Sequence, residues 1–141
     1  MERNSLVGTW RLLSLEMTGP VGQVSYPLGH DAVGYVIYTE DGYMCVAMMD
    51  AHRPEFAGGD PRQATIEEKV AAWDTYVSYC GRYEIRDNKL IHHVAVGFFP
   101  NWVGAELERT IEFSGSRLSI WTPPFLIDGQ QQTSHTIWER V

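Results

Sequence analysis

"RYEIRDNKLIHHVAVG", residues 82–97, is two β-rich runs joined by Asp87-Asn88. Both turn residues tolerate the left-handed backbone of a tight reversal, so the stretch predicts a β-hairpin. Successive side chains of a strand point to opposite faces. His92 and His93 therefore cannot both hold one metal ion while the strand is regular. His92 falls with Leu90, Val94, Val96 and Phe98, the bulkier set, and His93 with Ile91, Ala95 and Gly97. The bulky set should face a core, which places His92 inside and His93 outside. On the partner run Tyr83 and Ile85 share a face.

The same pattern extends in both directions. "VGYVIYTEDGYMCVAMM" (33–49) reads as a hairpin around Asp41-Gly42, and "ELERTIEFSGSRLSIWT" (106–122) as another around Ser114-Gly115-Ser116. "LVGTWRLLSLE" (6–16) opens the series and "TSHTIWERV" (133–141) closes it. The exception is "TIEEKVAAWDTYVSYC" (65–80). Thr65 with Glu68 three residues on is a capping box, and Ile66, Val70, Trp73 and Val77 recur at helical spacing. A long Gly/Pro/Asp-rich loop, "DAHRPEFAGGDPRQ" (50–63), precedes it. The expectation is a mainly β, eight-stranded antiparallel up-and-down barrel with one inserted α-helix around 65–80. Residues 1–141 would form this single domain. Closure removes exposed strand edges, and a barrel of that size encloses side chains plus one small ligand.

Alternation then nominates lumen residues. Ala105, Leu107, Ile111 and Phe113 share one parity, and Arg109 falls among them. A guanidinium in an apolar barrel needs a partner. The partner is an internal carboxylate or a ligand anion, unless Arg109 makes a structural salt bridge or snorkels to the rim. Leu6, Gly8, Trp10, Leu12, Ser14 and Glu16 share a face, which makes Glu16 a carboxylate partner for Arg109, a general acid or base, or a solvated rim group. Met44, Val46 and Met48 share another, as adaptable contact surface or plain core. The strand carrying His92 should stop at Pro100, leaving Phe98, Phe99 and Trp102 at a barrel mouth. Trp102 there either touches what enters or plugs against the helix. His92, Arg109, Glu16 and Tyr83 are thus the candidate catalytic set. Met44, Met48, Phe98, Trp102, Arg53 and Tyr76 are the candidate ligand contacts.

Other chemistries find little support. There is no HExxH, CxxC, GxSxG or phosphate-cradling glycine loop, and the five histidines are scattered. No metal and no cofactor is expected. The net charge of −7 and the lack of a basic face argue against nucleic acid or an anionic membrane surface. No apolar run is long enough to cross a bilayer as a helix. The start, "MERNSLVGTW", lacks an apolar secretion core, so the expected compartment is the cytoplasm. A disulfide between Cys45 and Cys80 is open, but free thiols fit a reducing cytoplasm better. Oligomeric state is also open, a homodimer included.

The blocks "LVGTWRLLSLE", "YPLGHDAVGYVIYTEDGYM", "RPEF", "YVSYCGRYEI", "HHV", "FPNWVG" and the terminal "IWERV" occur in an order that resembles the lipocalin-like domain family, within the calycin group of ligand-binding barrels. That resemblance implies a barrel with a small-molecule cavity. It also implies that Trp10 of Gly8-x-Trp10 packs under a cation from the last strand, Arg140, as a structural seal of one barrel end. Two functions follow as expectations. One is binding of a small, largely apolar molecule with a carbonyl or anionic group. The other is a cofactor-independent isomerase, cyclase or lyase acting on a small carbonyl or polyketide-like metabolite.

Overall fold

The computed structural model describes residues 3–141, as a run of antiparallel strands with short helices at two points. A helical turn α1 (Arg3–Leu6) leads into β1 (Gly8–Thr18), followed by β2 (Val24–Ser25), β3 (Val33–Tyr38) and β4 (Tyr43–Met49). Helix α2 (Ile66–Asp74) comes next, then β5 (Tyr76–Arg86) and β6 (Lys89–Gly97). A 3-10 turn (Pro100–Trp102) leads to β7 (Glu106–Ser114), β8 (Arg117–Trp121), β9 (Phe125–Ile127) and β10 (Gln130–Arg140). Each long strand pairs with its neighbour, and β1 pairs with β10, so β1, β3, β4, β5, β6, β7, β8 and β10 close an eight-stranded barrel. β2 and β9 are short additions to β1 and β10. Sequence reading misses them because two or three residues carry no usable alternation.

The hairpin turns fall where the sequence puts them. Asp87 and Asn88 both have positive φ, as a two-residue primed turn requires. Asp128-Gly129 repeats the device between β9 and β10, with φ of 51° and 74°. It makes β10 start at Gln130, three residues before the expected strand.

The inserted helix is shorter than its periodicity suggests. Its capping box forms as read, with Thr65 accepting from the Glu68 amide and the Glu68 carboxylate accepting from the Thr65 amide. It ends at Asp74, because Tyr76-Val-Ser-Tyr-Cys80 is an aromatic and β-branched run that pairs with β4 as strand. Its apolar stripe covers little: Ile66 is 77% exposed, Val70 53% and Trp73 48%.

One barrel end is sealed. Leu6, Trp10, Leu90, Leu118 and Trp138 are fully enclosed there. Arg140 lies 4.1 Å over the Trp10 ring and donates to the carbonyls of Val7 and Ser5, while the Trp10 indole donates to Leu6 O at 2.9 Å. Gly8, at φ 134°, leaves the room that Arg140 occupies; a Cβ there would meet its guanidinium. The opposite end carries α2, the loop before β3 and the 3-10 turn. Inward side chains there, Met48, Val77, Trp102 and Leu107, are only partly buried.

The free-thiol expectation is overturned. Cys45 and Cys80 are direct cross-strand partners on β4 and β5, 4.1 Å apart at Cα, and are joined as a disulfide. A spacing of 35 residues gives no hint of this pairing; the barrel register creates it. Reduction of the bond is expected to lower stability by about 3 kcal/mol through the entropy returned to the unfolded chain. Urea titration with and without dithiothreitol checks this, and coincident midpoints would exclude it.

Candidate functional site

Three ionisable groups meet inside the barrel. His92 on β6 is buried at 3% exposure. Its Nε2 lies 2.8 Å from the Tyr38 hydroxyl on β3, and its Nδ1 lies 2.7 Å from the Tyr79 hydroxyl on β5. Both tyrosines are buried as well. Burial, then the charges of Arg109 and His93, holds the imidazole well below its ordinary range, so His92 is neutral at physiological pH. Burial likewise raises both tyrosines, and the Arg109 charge opposes that rise in each. Arg109 on β7 is the fourth member. It shares its face with Leu90, its β6 partner, as alternation requires. Its guanidinium donates to Glu108 O at 2.9 Å and forms no ion pair with any carboxylate among the described residues.

The expected internal partner, Glu16, is absent from this group. A bulge between Leu12 and Ser14 inserts one residue into β1. It reverses the parity beyond it, so Leu15 and Met17 are buried and Glu16 turns out. There Glu16 lies 3.9 Å from His135 and accepts from the Tyr26 hydroxyl at 3.5 Å. His135 stacks on Trp121 with ring centroids 4.4 Å apart. A single inserted residue thus separates the two charges that sequence parity puts together.

A second bulge, at Cys80/Gly81 opposite Val94 and Val96, corrects the end of β6. Gly81 is required there, because a Cβ would run into the His93 carbonyl. Beyond it Val96 lies outside, 60% exposed, and Phe98 leaves the His92 face. Phe98 instead stacks on Trp73 of α2 at 4.5 Å and meets Trp102 edge-on at 5.6 Å. Trp102 in turn meets the Tyr79 ring edge-on at 5.8 Å. Trp102 and His92 therefore touch the same tyrosine, and an aromatic path runs from the half-exposed Trp73 to the buried imidazole.

The remaining candidates scatter. Tyr83 is buried beside Tyr38, 5.0 Å between rings, but its hydroxyl donates to Thr39 O at 2.6 Å and is not directed at Arg109. Arg53 donates to Ala72 O and Thr75 Oγ1, both at 3.1 Å, and lies over the Tyr76 ring. It ties the 50–63 loop to the carbonyl end of α2, where a cation is favoured. Met44 is enclosed in the core, and Met48 is partly buried at the open end. His93 lies outside, 2.9 Å from Glu84 and 3.7 Å from Glu106. These three could reach one cation, but Arg86 already pairs with both carboxylates. Sequence reading missed Tyr38 and Tyr79. Their parity with Val36 and with Val77 and Tyr83 was legible; the reach of two tyrosines to one imidazole across the lumen was not.

A family model described as lipocalin-like domain matches residues 7–141. Among curated proteins the chain is similar to the 4'-hydroxy-3'-methoxypropiophenone carrier protein ppsC of Aspergillus oryzae. The two are 29% identical over 107 residues, covering 70% of this chain and 96% of that protein. No helix of the described residues is long and apolar enough to cross a membrane.

Proposed function

The chain belongs to the lipocalin-like domain family, and from that premise we propose that its barrel binds a small, largely apolar molecule through a carbonyl or anionic group held by Arg109. The observation that carries this reading is the inward guanidinium without a carboxylate partner, beside three buried hydrogen-bonding side chains. The guanidinium is partly buried, and a ligand carbonyl or anionic oxygen can accept a charge-assisted hydrogen bond from it there. Met48, Leu107 and Trp102 at the open end supply apolar contact, and few polar groups fix orientation. The similarity to a protein named as a carrier supports the same reading. No cofactor is needed for it. The disulfide argues against a reducing cytoplasm and removes the thiol argument for that compartment.

Native mass spectrometry of freshly purified protein should show a co-purified small molecule. Arg109→Leu should weaken its affinity about tenfold to hundredfold, the range of one hydrogen bond to a charged group. Unchanged affinity in a folded variant removes Arg109 as the anchor.

The hydroxyl–imidazole–hydroxyl chain favours a second reading, a cofactor-independent isomerase, cyclase or lyase. A neutral imidazole joined to two hydroxyls can accept a proton from one side as it gives one to the other. A folded His92→Gln variant that still binds the molecule but no longer converts it would support turnover; equal conversion would remove His92 as the base.

A further inference from the structure

Hydrogen counting at the Tyr38–His92–Tyr79 chain constrains what the barrel can hold. A neutral imidazole carries one N–H and each tyrosine one O–H, three hydrogens in all. The two contacts at 2.8 and 2.7 Å use one hydrogen each. Whichever nitrogen carries the proton, one tyrosine accepts from the ring, and its own hydrogen points away from it. Neither hydroxyl has another acceptor among the described residues. Arg109 cannot supply one, because a guanidinium only donates. The site therefore presents a spare O–H and a cation without a counter-ion, both asking for an acceptor oxygen.

The surroundings set the charge of that oxygen. The inward ionisable groups are Tyr38 on β3, Tyr79 and Tyr83 on β5, His92 on β6 and Arg109 on β7. Tyr83 is satisfied by Thr39 O, and His92 is neutral. The buried side chains contributed by β1, β4, β8 and β10 are Trp10, Leu12, Leu15, Met17, Met44, Val46, Leu118, Ile120, Thr136 and Trp138, all uncharged. Arg109, partly buried, is the one inward cation among these groups, and it has no carboxylate partner that a ligand oxyanion would have to displace.

Resting on the binding function proposed above, we infer that the barrel selects an aromatic ligand with an ionised acceptor oxygen, a phenolate or enolate conjugated to a carbonyl, over its neutral form. The oxyanion accepts from Arg109 and the spare tyrosine hydroxyl. The ring lies among Trp102, Leu107 and Met48.

Para-hydroxyacetophenone is a suitable probe, because its phenolate absorbs at longer wavelength than its phenol. Titrated with saturating protein, it should ionise about one pH unit or more below its value in water, the usual effect of a close opposite charge. By linkage, affinity should rise about tenfold or more as pH passes from below the bound ionisation to above the free one. Arg109→Met should abolish the shift with far-ultraviolet circular dichroism unchanged. Para-methoxyacetophenone, which cannot ionise, should bind with no pH dependence and about tenfold more weakly above the pKa of the phenol. That comparison does not depend on any variant folding. A bound phenol that ionises at or above its value in water overturns the inference, as does equal binding of phenol and methyl ether at every pH; both leave the binding function standing. Uptake of neither probe overturns the inference, and it overturns the binding function as well if no small molecule co-purifies.

Discussion

Trp10→Ala is expected to cost about 3–5 kcal/mol, the usual toll of deleting a fully enclosed tryptophan. That is a large part of the stability of an ordinary domain, so the variant should unfold at a much lower urea concentration. Trp10 fills the closed barrel end, donates to Leu6 O, packs 6.2 Å from Phe113 and lies under Arg140. Its removal leaves a cavity, an unpaired carbonyl and a guanidinium without its ring. Arg140→Met should cost less, about 1–2 kcal/mol, since it loses exposed hydrogen bonds to Val7 and Ser5 and a cation–π contact while the indole stays packed. Urea denaturation of the three proteins gives both numbers. Equal midpoints for wild type and Trp10→Ala would mean that this end does not hold the barrel closed.

Trp10 also marks how far the sequence could be read. The barrel was legible because β3, β4, β7 and β8 alternate cleanly and their turns carry Asp-Gly or Ser-Gly. Parity was reliable only between bulges. It placed Arg109 and His92 inside, since both lie on uninterrupted strand, and it misplaced Glu16 and Val96, each just past an inserted residue. A bulge leaves almost no trace in one sequence; Gly81 is the nearest thing to a signal here. The disulfide and the Tyr38–His92–Tyr79 chain were hidden for a different reason. Both are contacts between strands, fixed by register or by reach across the lumen, and neither leaves a local pattern. Helix α2 failed in a third way. Its stripe continued into β5 only because a helical spacing of seven and a strand can share a valine, Val77.

Replacing His92 should have an equally large effect, and its origin can be separated. His92→Leu keeps much of the volume but leaves two buried hydroxyls without their partner. At about 1–3 kcal/mol for each orphaned group, the variant should lose about 2–6 kcal/mol. Adding Tyr38→Phe and Tyr79→Phe should then restore most of that loss, because removing all polar partners together is far less costly than removing one. If the triple variant is no more stable than His92→Leu, packing and not hydrogen bonding sets the cost. The pH dependence gives a second handle. The folded protein holds His92 neutral well below the ordinary histidine range, while the unfolded chain protonates it near pH 6.5. The unfolded state therefore binds the extra proton as pH falls. The stability this group contributes is complete above about pH 6.5 and declines below it by up to ~1.4 kcal/mol per pH unit, until the folded value is reached. Glu84 is held low by His93 and then Arg86, and Glu106 by Arg86, so they add to the loss only in the carboxylate range, below about pH 4.5. Between about pH 5 and 6.5 the slope should thus depend on His92. In His92→Gln, whose amide can still accept from one tyrosine and donate to the other, it should flatten while the fold persists. An unchanged slope in that variant would mean that His92 is already charged in the folded barrel, donating to both tyrosines and leaving both of their hydroxyl hydrogens directed elsewhere.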